Sequence, residues 1–187
     1  MDALKNRFPF LGEKLRVLAE ILLFAAEEGK ISFDDIHGEG REEILILAVE
    51  ERLLIPVRTS RSLAWEDRIL RLEPGEVYEM PNVVRYLVKR ANETGRWEPC
   101  HAINEYLEEI GEEERESIVD FFEKVRSRVK DRIVDVEVLK EVLKEVGLRV
   151  ELGKVIAELK GGGIISPHLR ISIPSGIIKY EINPSLL

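Results

Sequence analysis

The chain has 187 residues, of which 44% are hydrophobic and 34% are charged, so it can bury a core in one domain or in two small ones. Its 28 Lys and Arg residues and 36 Asp and Glu residues give a formal net charge of −8. Because non-specific affinity for nucleic acid comes from cations that displace counterions from phosphates, this charge argues against a general nucleic-acid coat but leaves room for a local basic face.

Cellular location and thermal class can be judged from the same composition. No apolar run approaches the roughly 20 residues of a membrane-spanning helix, and residues 1–15 lack the apolar region and small-residue cleavage site of a signal peptide. We therefore expect a cytoplasmic protein. Gln is absent, Met and Cys are scarce, and Glu, Lys, Arg and Ile are abundant, a usage typical of thermophilic proteins.

The first half of the chain begins with a long amphipathic helix. Apolar residues at helical spacing between Leu11 and Ala25 predict this helix, and Gly29 is placed to end it. Shorter elements follow, and turn-forming residues separate them. They are an extended piece at 31–33, one helical turn at 33–36, a helix over 41–54, a strand over 55–59, and a hairpin of 69–72 with 77–80.

The stretch over 94–100 is the best candidate for a domain boundary. A helix over 82–92 precedes it, and an acidic helix over 104–116 follows it, each predicted by the spacing of apolar residues. Glycine and proline interrupt the periodicity between the two helices. The sequence therefore predicts two domains, residues 1–98 and residues 99–187.

The second half contains two short helices joined by a tight turn. Asp135 is a good N-cap for the first helix, and Gly147 lies where a residue with positive φ would end it. The second helix runs from Leu152 until Gly161 stops it. Two short helices with a glycine-containing turn are what a helix-turn-helix motif requires. A helix over 118–125 and an extended piece over 132–134 precede them.

The tail changes from helical to alternating periodicity after three glycines at 161–163. Apolar and polar residues alternate over 169–173 and 178–182, and Pro-Ser-Gly between them is turn chemistry. The pattern predicts a β-hairpin whose apolar face packs on the preceding helices, because an isolated hairpin is only marginally stable. The glycines favour a helix stop over a phosphate loop, since they follow a helix and lack the Lys-Ser/Thr of a P-loop.

The order helix, short strand, helix, turn, helix, hairpin over residues 115–187 resembles the winged helix-turn-helix fold, with the tail as its wing. The first half resembles the same fold, with a reduced second helix and a long wing. We therefore expect an α+β protein that is mostly helical with small hairpins and consists of two winged-helix domains in tandem. The halves share the order of elements without a fixed-period sequence repeat.

The sequence offers little for catalysis or metal binding. His37, His101 and His168 have no His, Cys or carboxylate at metal-ligand spacing, apart from the adjacent pair Cys100 and His101, whose side chains would diverge. Cys100 is the single cysteine, and an inert, partly buried thiol is commoner than a nucleophile with a base beside it. We expect a non-enzymatic protein without a metal or a small-molecule cofactor.

The winged-helix resemblance implies DNA binding as the first function. In DNA-binding members the second helix of the motif enters the major groove, and the wing touches backbone or minor groove. We expect a transcriptional regulator that binds double-stranded DNA through the C-terminal domain, as a homodimer, because two half-sites supply length and symmetry. The candidate DNA-contacting residues are Arg149 and Lys154 on the expected recognition helix and His168, Arg170 and Lys179 on the wing.

The N-terminal domain is less suited to DNA. Its corresponding helix carries several glutamates, which would repel phosphates. Its wing offers a lesser nucleic-acid surface, in which arginines surround Trp65; the plain alternative is a packed Trp with solvated arginines. These lesser candidates are Arg58, Arg61, Arg68 and Arg71.

The alternative function is a protein-interaction module of a larger assembly that does not bind DNA. The centre of the helix over 41–54 is apolar all round, which predicts that the other domain or a partner covers it on more than one side. Ile46 and Val49 are the candidate contact residues there. The acidic stretch over 104–123 is a second candidate contact face.

Overall fold

The computed structural model describes residues 2–57 and 64–187. It is mostly helical with two small antiparallel sheets, so the expected α+β class is confirmed. Within these residues no helix is both long and apolar enough to span a membrane. The helices are α1 (Asp2–Arg7), α2 (Lys14–Glu28), α3 (Arg41–Glu50), α4 (Asn82–Thr94), α5 (Pro99–Glu109), α6 (Arg115–Arg126), α7 (Val136–Val146), α8 (Leu152–Gly161) and α9 (Leu169–Ser175). The strands are β1 (Lys30–Ser32), β2 (Ile55–Pro56), β3 (Val77–Glu79), β4 (Ile133–Asp135), β5 (Ile165–Pro167) and β6 (Lys179–Ile182).

Three strands of the first half form an antiparallel sheet in the order β1-β3-β2. In the central strand, Tyr78 lies opposite Ile31 on one side and Pro56 on the other. Tyr78 is fully buried, and its hydroxyl donates a hydrogen bond to the carbonyl of Arg71. The tyrosine therefore joins the sheet to the long connection that precedes β3.

The second half repeats this arrangement in the order β4-β6-β5. Tyr180 of the central strand lies opposite Val134 of β4 and Pro167 of β5. Tyr78 of the first sheet likewise has an aliphatic residue on one side and a proline on the other. In both sheets the last strand in sequence is the central one.

Most helix ends fall where the sequence predicts them. α7 begins directly after Asp135 and ends at Gly147, whose φ of 73° is left-handed. α8 ends at Gly161, and α2 ends at Gly29, which has a φ of 78°. α3 is shorter than predicted, because it ends at Glu50 and the chain then turns into β2.

In each of the two predicted hairpins, the second strand is present and the first strand is not. Residues 169–173 form most of α9, and β6 pairs with β4 and β5 instead. Residues 69–72 form no strand, and β3 pairs with β1 and β2. Each central strand already has a neighbour on both edges, so the alternating segment next to it in sequence has no edge to join.

The glycines at 161–163 let the end of α8 approach both α5 and the segment before α4 closely. A Cβ at Gly162 would lie 2.6 Å from the ring of Tyr106, and one at Gly163 would lie 2.5 Å from the Cβ of Pro81. The carbonyl of Gly162 accepts a backbone hydrogen bond of 2.9 Å from the first turn of α4. The run therefore ends the helix, as predicted, and also brings two segments of backbone into contact.

The two halves of the chain share one hydrophobic core. Buried residues from both halves form a single cluster, and α4 packs against α5 across the predicted boundary at 94–100. Arg52, after α3, donates two hydrogen bonds of 3.1 and 3.3 Å to the carboxylate of Glu181 in β6. The buried amide of Asn183 donates to the carbonyl of Arg52. Apolar packing and polar contacts therefore fix the halves to each other.

Candidate interaction surface

The C-terminal segment over 169–178, which the sequence predicts as part of a wing, exposes an aliphatic surface. The chain leaves β5, forms α9 and returns through β6, and α9 with the turn after it carries five large aliphatic residues that are between 38% and 77% exposed. The prediction that the apolar face of the tail packs on the preceding helices is therefore wrong for these residues, although Tyr180 and Ile182 of the same predicted face are buried in the core. We call these residues the aliphatic wing; they are Leu169, Ile171, Ile173, Ile177 and Ile178.

Serine hydroxyls hold α9 against the sheet. Ser172 Oγ donates to the carbonyl of His168 and accepts the backbone N–H of Lys179 at 2.9 Å. Ser175 Oγ donates to a carbonyl one turn earlier at 2.8 Å. Pro174 lies inside this short helix and supplies no N–H. Ser172 therefore takes the half-buried position facing the sheet, and the aliphatic residues on either side of it point to solvent.

Carboxylates lie beside two of the basic residues that the sequence predicts for DNA contact on the wing, His168 and Lys179, whereas the Arg170 guanidinium donates to a backbone carbonyl. Glu66, in a 3-10 turn of the first half, accepts the backbone N–H of Arg170 at 2.8 Å, and its carbonyl accepts the Arg170 guanidinium at 3.2 Å. The other oxygen of Glu66 lies 2.9 Å from Nδ1 of His168, without hydrogen-bond geometry. Lys179 Nζ lies 2.9 Å from Asp135. Among these three residues, Arg170 is therefore the exposed cation that no carboxylate of the described residues neutralises.

The two candidates near the predicted recognition helix differ in their surroundings. Arg149 is exposed and forms no ion pair with a described residue, but it lies in the turn before α8 and not on the helix. Lys154 lies on α8, and its Nζ is 2.7 Å from Glu112 and 3.5 Å from Glu158. Of these two cations, Arg149 is the one available to a ligand.

The carboxylates on either side of Lys154 differ in pKa. Hydrogen bonds from Lys154 and from the backbone N–H of Glu114 stabilise the charged form of Glu112 and lower its pKa to about 2. Burial, together with the neighbouring Glu112 carboxylate, raises the pKa of Glu158 to about 7. Glu112 is therefore the carboxylate that is fully charged at neutral pH, and it neutralises Lys154.

The N-terminal wing candidates are largely engaged within the molecule. Arg68 donates to two carbonyls near the end of β2, at 3.2 and 3.1 Å. Arg71 lies 3.6 Å from Glu73 on the surface. Arg58 and Arg61 lie outside the described residues. The buried position of Trp65 agrees with the packed alternative.

The two residues predicted for protein contact lie in different environments. Ile46 is 37% exposed on α3, whereas Val49 is buried in the core. The apolar centre of α3 is therefore covered mainly by its own chain. The acidic stretch over 104–123 is divided by a break at 110–114 into the end of α5 and the start of α6.

Two carboxylates of this surface were missed by sequence reasoning, Glu66 and Glu112. Glu66 and Glu112 meet their cations across more than forty positions of sequence, and no short-range spacing marks such pairs. The five aliphatic residues were visible in the sequence, but their alternation predicted a buried strand.

Cys100 is the remaining candidate for chemistry. Its thiol donates to Glu123 at 3.3 Å, and burial together with this hydrogen bond raises the pKa of the thiol to about 11. The thiol is protonated at neutral pH and is a poor nucleophile. Among the described residues, no group of three or more His, Cys, Asp or Glu side chains could hold a metal ion.

Fold and surface together define an α+β protein with two similar three-stranded sheets and an exposed aliphatic wing. A protein-family model matches residues 2–187, and the chain belongs to that family. No curated protein and no solved structure matches the chain significantly.

Proposed function

We propose that the chain is a tandem winged-helix protein that acts as a protein-interaction module, with the aliphatic wing as its contact face. The winged-helix assignment is supported by the order of elements in each half. The first half has α2, β1, a helical turn at 33–35, α3, β2 and β3, and the second has α6, β4, α7, α8, β5 and β6, with the short helix α9 between the last two strands. The identical strand order of the two sheets supports a tandem arrangement.

The exposure of the aliphatic wing is the observation that carries the proposed interaction. Monomeric proteins rarely expose a contiguous apolar patch of more than a few hundred Å², and such patches commonly mark interaction sites. Here five large aliphatic side chains are exposed within residues 169–178. Removing apolar surface from water is favourable by about 25 cal/mol per Å², so a partner that covers the wing gains affinity from it.

A capture experiment tests this function. The tagged chain should retain one or more proteins from cell extract, untagged copies of itself included, and Ile173→Asp should abolish that retention because it places a charge in the apolar contact. Ile110→Asp is the matched control, since Ile110 is also an exposed isoleucine but lies after α5, outside the wing. Equal retention by wild type and Ile173→Asp, measured by quantitative mass spectrometry, would contradict the proposal.

DNA binding by the C-terminal half is a second candidate function, as expected of a transcriptional regulator. The observation that favours it is Arg149, an exposed cation ahead of α8 that has no carboxylate partner among the described residues. Helix α8 is the element that would enter the major groove in a DNA-binding winged helix.

A salt series with mixed duplex DNA separates the two functions. Phosphate contacts impose a slope of log affinity against log salt of about −0.9 per contact, and Arg149→Glu should weaken any such binding. Arg16→Glu, at an exposed arginine of α2, is the control and should have little effect. Absence of binding at low salt would remove DNA from consideration and leave the protein-interaction function.

A further inference from the structure

We propose that a cleft between the two halves of the chain binds a small organic anion with an apolar body. The cleft has a volume of about 390 Å³, within the range of roughly 300–1,000 Å³ of small-ligand sites, which occur preferentially where two domains meet. None of the five residues of the aliphatic wing lines it. The inference therefore goes beyond the proposed function and does not depend on it.

An edge strand of each sheet lines the cleft. Ile55 belongs to β2, an edge strand of the first sheet, and Ile165 belongs to β5, an edge strand of the second. Trp65 also lines it, and its backbone N–H donates to Ser166 Oγ in β5 at 3.0 Å, which joins the two walls. Met80 adds a further largely buried side chain. Because these apolar side chains are already fixed by the core, a ligand that packs on them loses little affinity to ordering.

Two cations line the same cleft, Arg68 and Lys160, and neither forms an ion pair with a described residue. Nη1 of Arg68 donates to the carbonyls of Pro56 and Val57 at 3.2 and 3.1 Å, and neutral carbonyls leave its charge in place. Nε of Arg68 is buried and has no hydrogen-bond partner in the described structure. A buried donor without an acceptor is costly, so an oxygen brought into the cleft by a ligand would satisfy a group that the chain leaves unpaired.

The charges of the lining favour an anion over a cation of the same shape. Glu79 is the carboxylate among the described lining residues, and it offsets one of the two cations. The remaining positive charge attracts a carboxylate or a phosphate group, which also supplies acceptor oxygens for the Arg68 guanidinium. An inorganic anion alone would leave the apolar walls in contact with water, so the ligand should carry an apolar body beside its charged group.

Titration of the full chain with 2-naphthoate, followed by nuclear magnetic resonance, tests the site. The backbone amides of Ile55, Asn82 and Ile165 should shift together, with a dissociation constant of about 0.1–1 mM. Naphthalene-2-carboxamidine has the same rings and a positive charge, and inorganic phosphate has the charge without the rings; each should bind at least about 10-fold more weakly. At ten times its dissociation constant, 2-naphthoate should raise the melting temperature by about 3–6 °C.

Charge variants of the lining test the sign of the ligand. Lys160→Met removes an exposed cation and keeps a long side chain, so it should weaken 2-naphthoate binding by about 3- to 5-fold. Glu79→Gln removes the carboxylate and should strengthen the binding by about 2-fold. Lys89→Met, at an exposed lysine of α4 outside the cleft, is the matched control and should have no effect. Because all three side chains are exposed, the variants should keep the melting temperature of the wild type.

Three results would overturn the inference. The first is an affinity for the amidine or for inorganic phosphate equal to that for 2-naphthoate. The second is a Lys160→Met variant that binds 2-naphthoate as tightly as the wild type does. The third is a set of shifts confined to Ile173 and its neighbours in α9, which would place the probe on the aliphatic wing instead of in the cleft.

Discussion

Lys154 lies between two carboxylates that hold their protons with different strength. Its Nζ is closer to Glu112 than to Glu158, at 2.7 against 3.5 Å, and Glu112 also accepts a backbone N–H. One oxygen of Glu158 is buried with no hydrogen-bond partner in the described structure. A proton on Glu158 satisfies that oxygen, because the protonated carboxyl can donate to Glu112. This explains why the pKa of Glu158 is the raised one.

The raised pKa of Glu158 gives the stability of the fold a pH dependence with a definite sign. The folded pKa of about 7 is above the ordinary value of 4.5, so the folded state binds this proton more tightly than the unfolded state does. The contribution to the free energy of unfolding is fully present below pH 4.5 and is lost as the pH rises through 7. Glu158→Gln keeps a donor and carries no charge, so it should match the wild type near pH 4.5 and exceed it in stability at pH 8.

Urea unfolding between pH 4 and 8 measures this difference. Glu20→Gln, at an exposed carboxylate of α2, is the control and should show the pH profile of the wild type. If Glu158→Gln followed the wild-type profile as well, the assignment of the proton to Glu158 would be wrong.

The glycine run offers a test with an internal control on the same helix. Gly163→Ala should lower the free energy of unfolding by about 2 kcal/mol or more, because Gly163 has a φ of 72° and an added Cβ would overlap with Pro81. Gly153→Ala should raise it by about 0.5–1 kcal/mol, because Gly153 is exposed inside α8 with open space around it. Denaturant unfolding of both variants measures the two changes. A Gly163→Ala variant as stable as the wild type would show that the close approach to Pro81 is not required.

At the scale of elements, local signals predicted helix ends well and strand pairing poorly. Gly147 ends α7 with a left-handed φ of 73°, Asp135 directly precedes α7, and α8 ends at Gly161; such limits depend mainly on neighbouring residues. Strand pairing depends on which edge is free. In both halves, the central strand was predicted to pair with the nearest preceding segment of alternating apolar and polar residues. In the structure, two earlier strands lie on either side of the central strand instead. The two errors therefore have one cause, the non-local choice of a strand partner.

The helical form of the wing depends on Ser172. Its hydroxyl bonds both to α9, through the His168 carbonyl, and to β6, through the N–H of Lys179. Ser172→Ala should lower the free energy of unfolding by about 1–2 kcal/mol, because it leaves a half-buried N–H without its acceptor. It should also speed amide hydrogen exchange in α9. Ser175→Ala is the control; its hydroxyl is exposed, so the loss should be smaller. Unchanged exchange in Ser172→Ala would show that the Ser172 hydroxyl is not needed to fix α9.

At the scale of the whole molecule, the candidate site could be predicted only in part. The sequence predicted the two short helices near which the candidate basic residues lie, and the structure has them as α7 and α8. It could not show that Glu66 comes from the first half to meet His168 and Arg170, or that Glu112 meets Lys154. These pairs form when distant parts of the chain pack together. The aliphatic residues of the wing can be read from the sequence, but their exposure cannot. They are exposed because β4 and β5 already lie on both sides of β6, so the segment cannot join the second sheet as a strand.

The contact between Arg52 and Glu181 tests whether the halves unfold together. Both side chains are largely buried, and two hydrogen bonds join Nε and Nη2 of Arg52 to the carboxylate. Arg52→Ala should lower the free energy of unfolding by about 3 kcal/mol, because it leaves the Glu181 carboxylate buried without its cation. Arg16→Ala, which removes an exposed ion pair with Glu20, should cost less than about 0.5 kcal/mol. Because one hydrophobic core spans both halves, unfolding of Arg52→Ala should remain a single transition by circular dichroism and by Trp fluorescence. Two separated transitions would mean that the halves are independent domains, and a loss as small as that of Arg16→Ala would mean that the core alone holds them together.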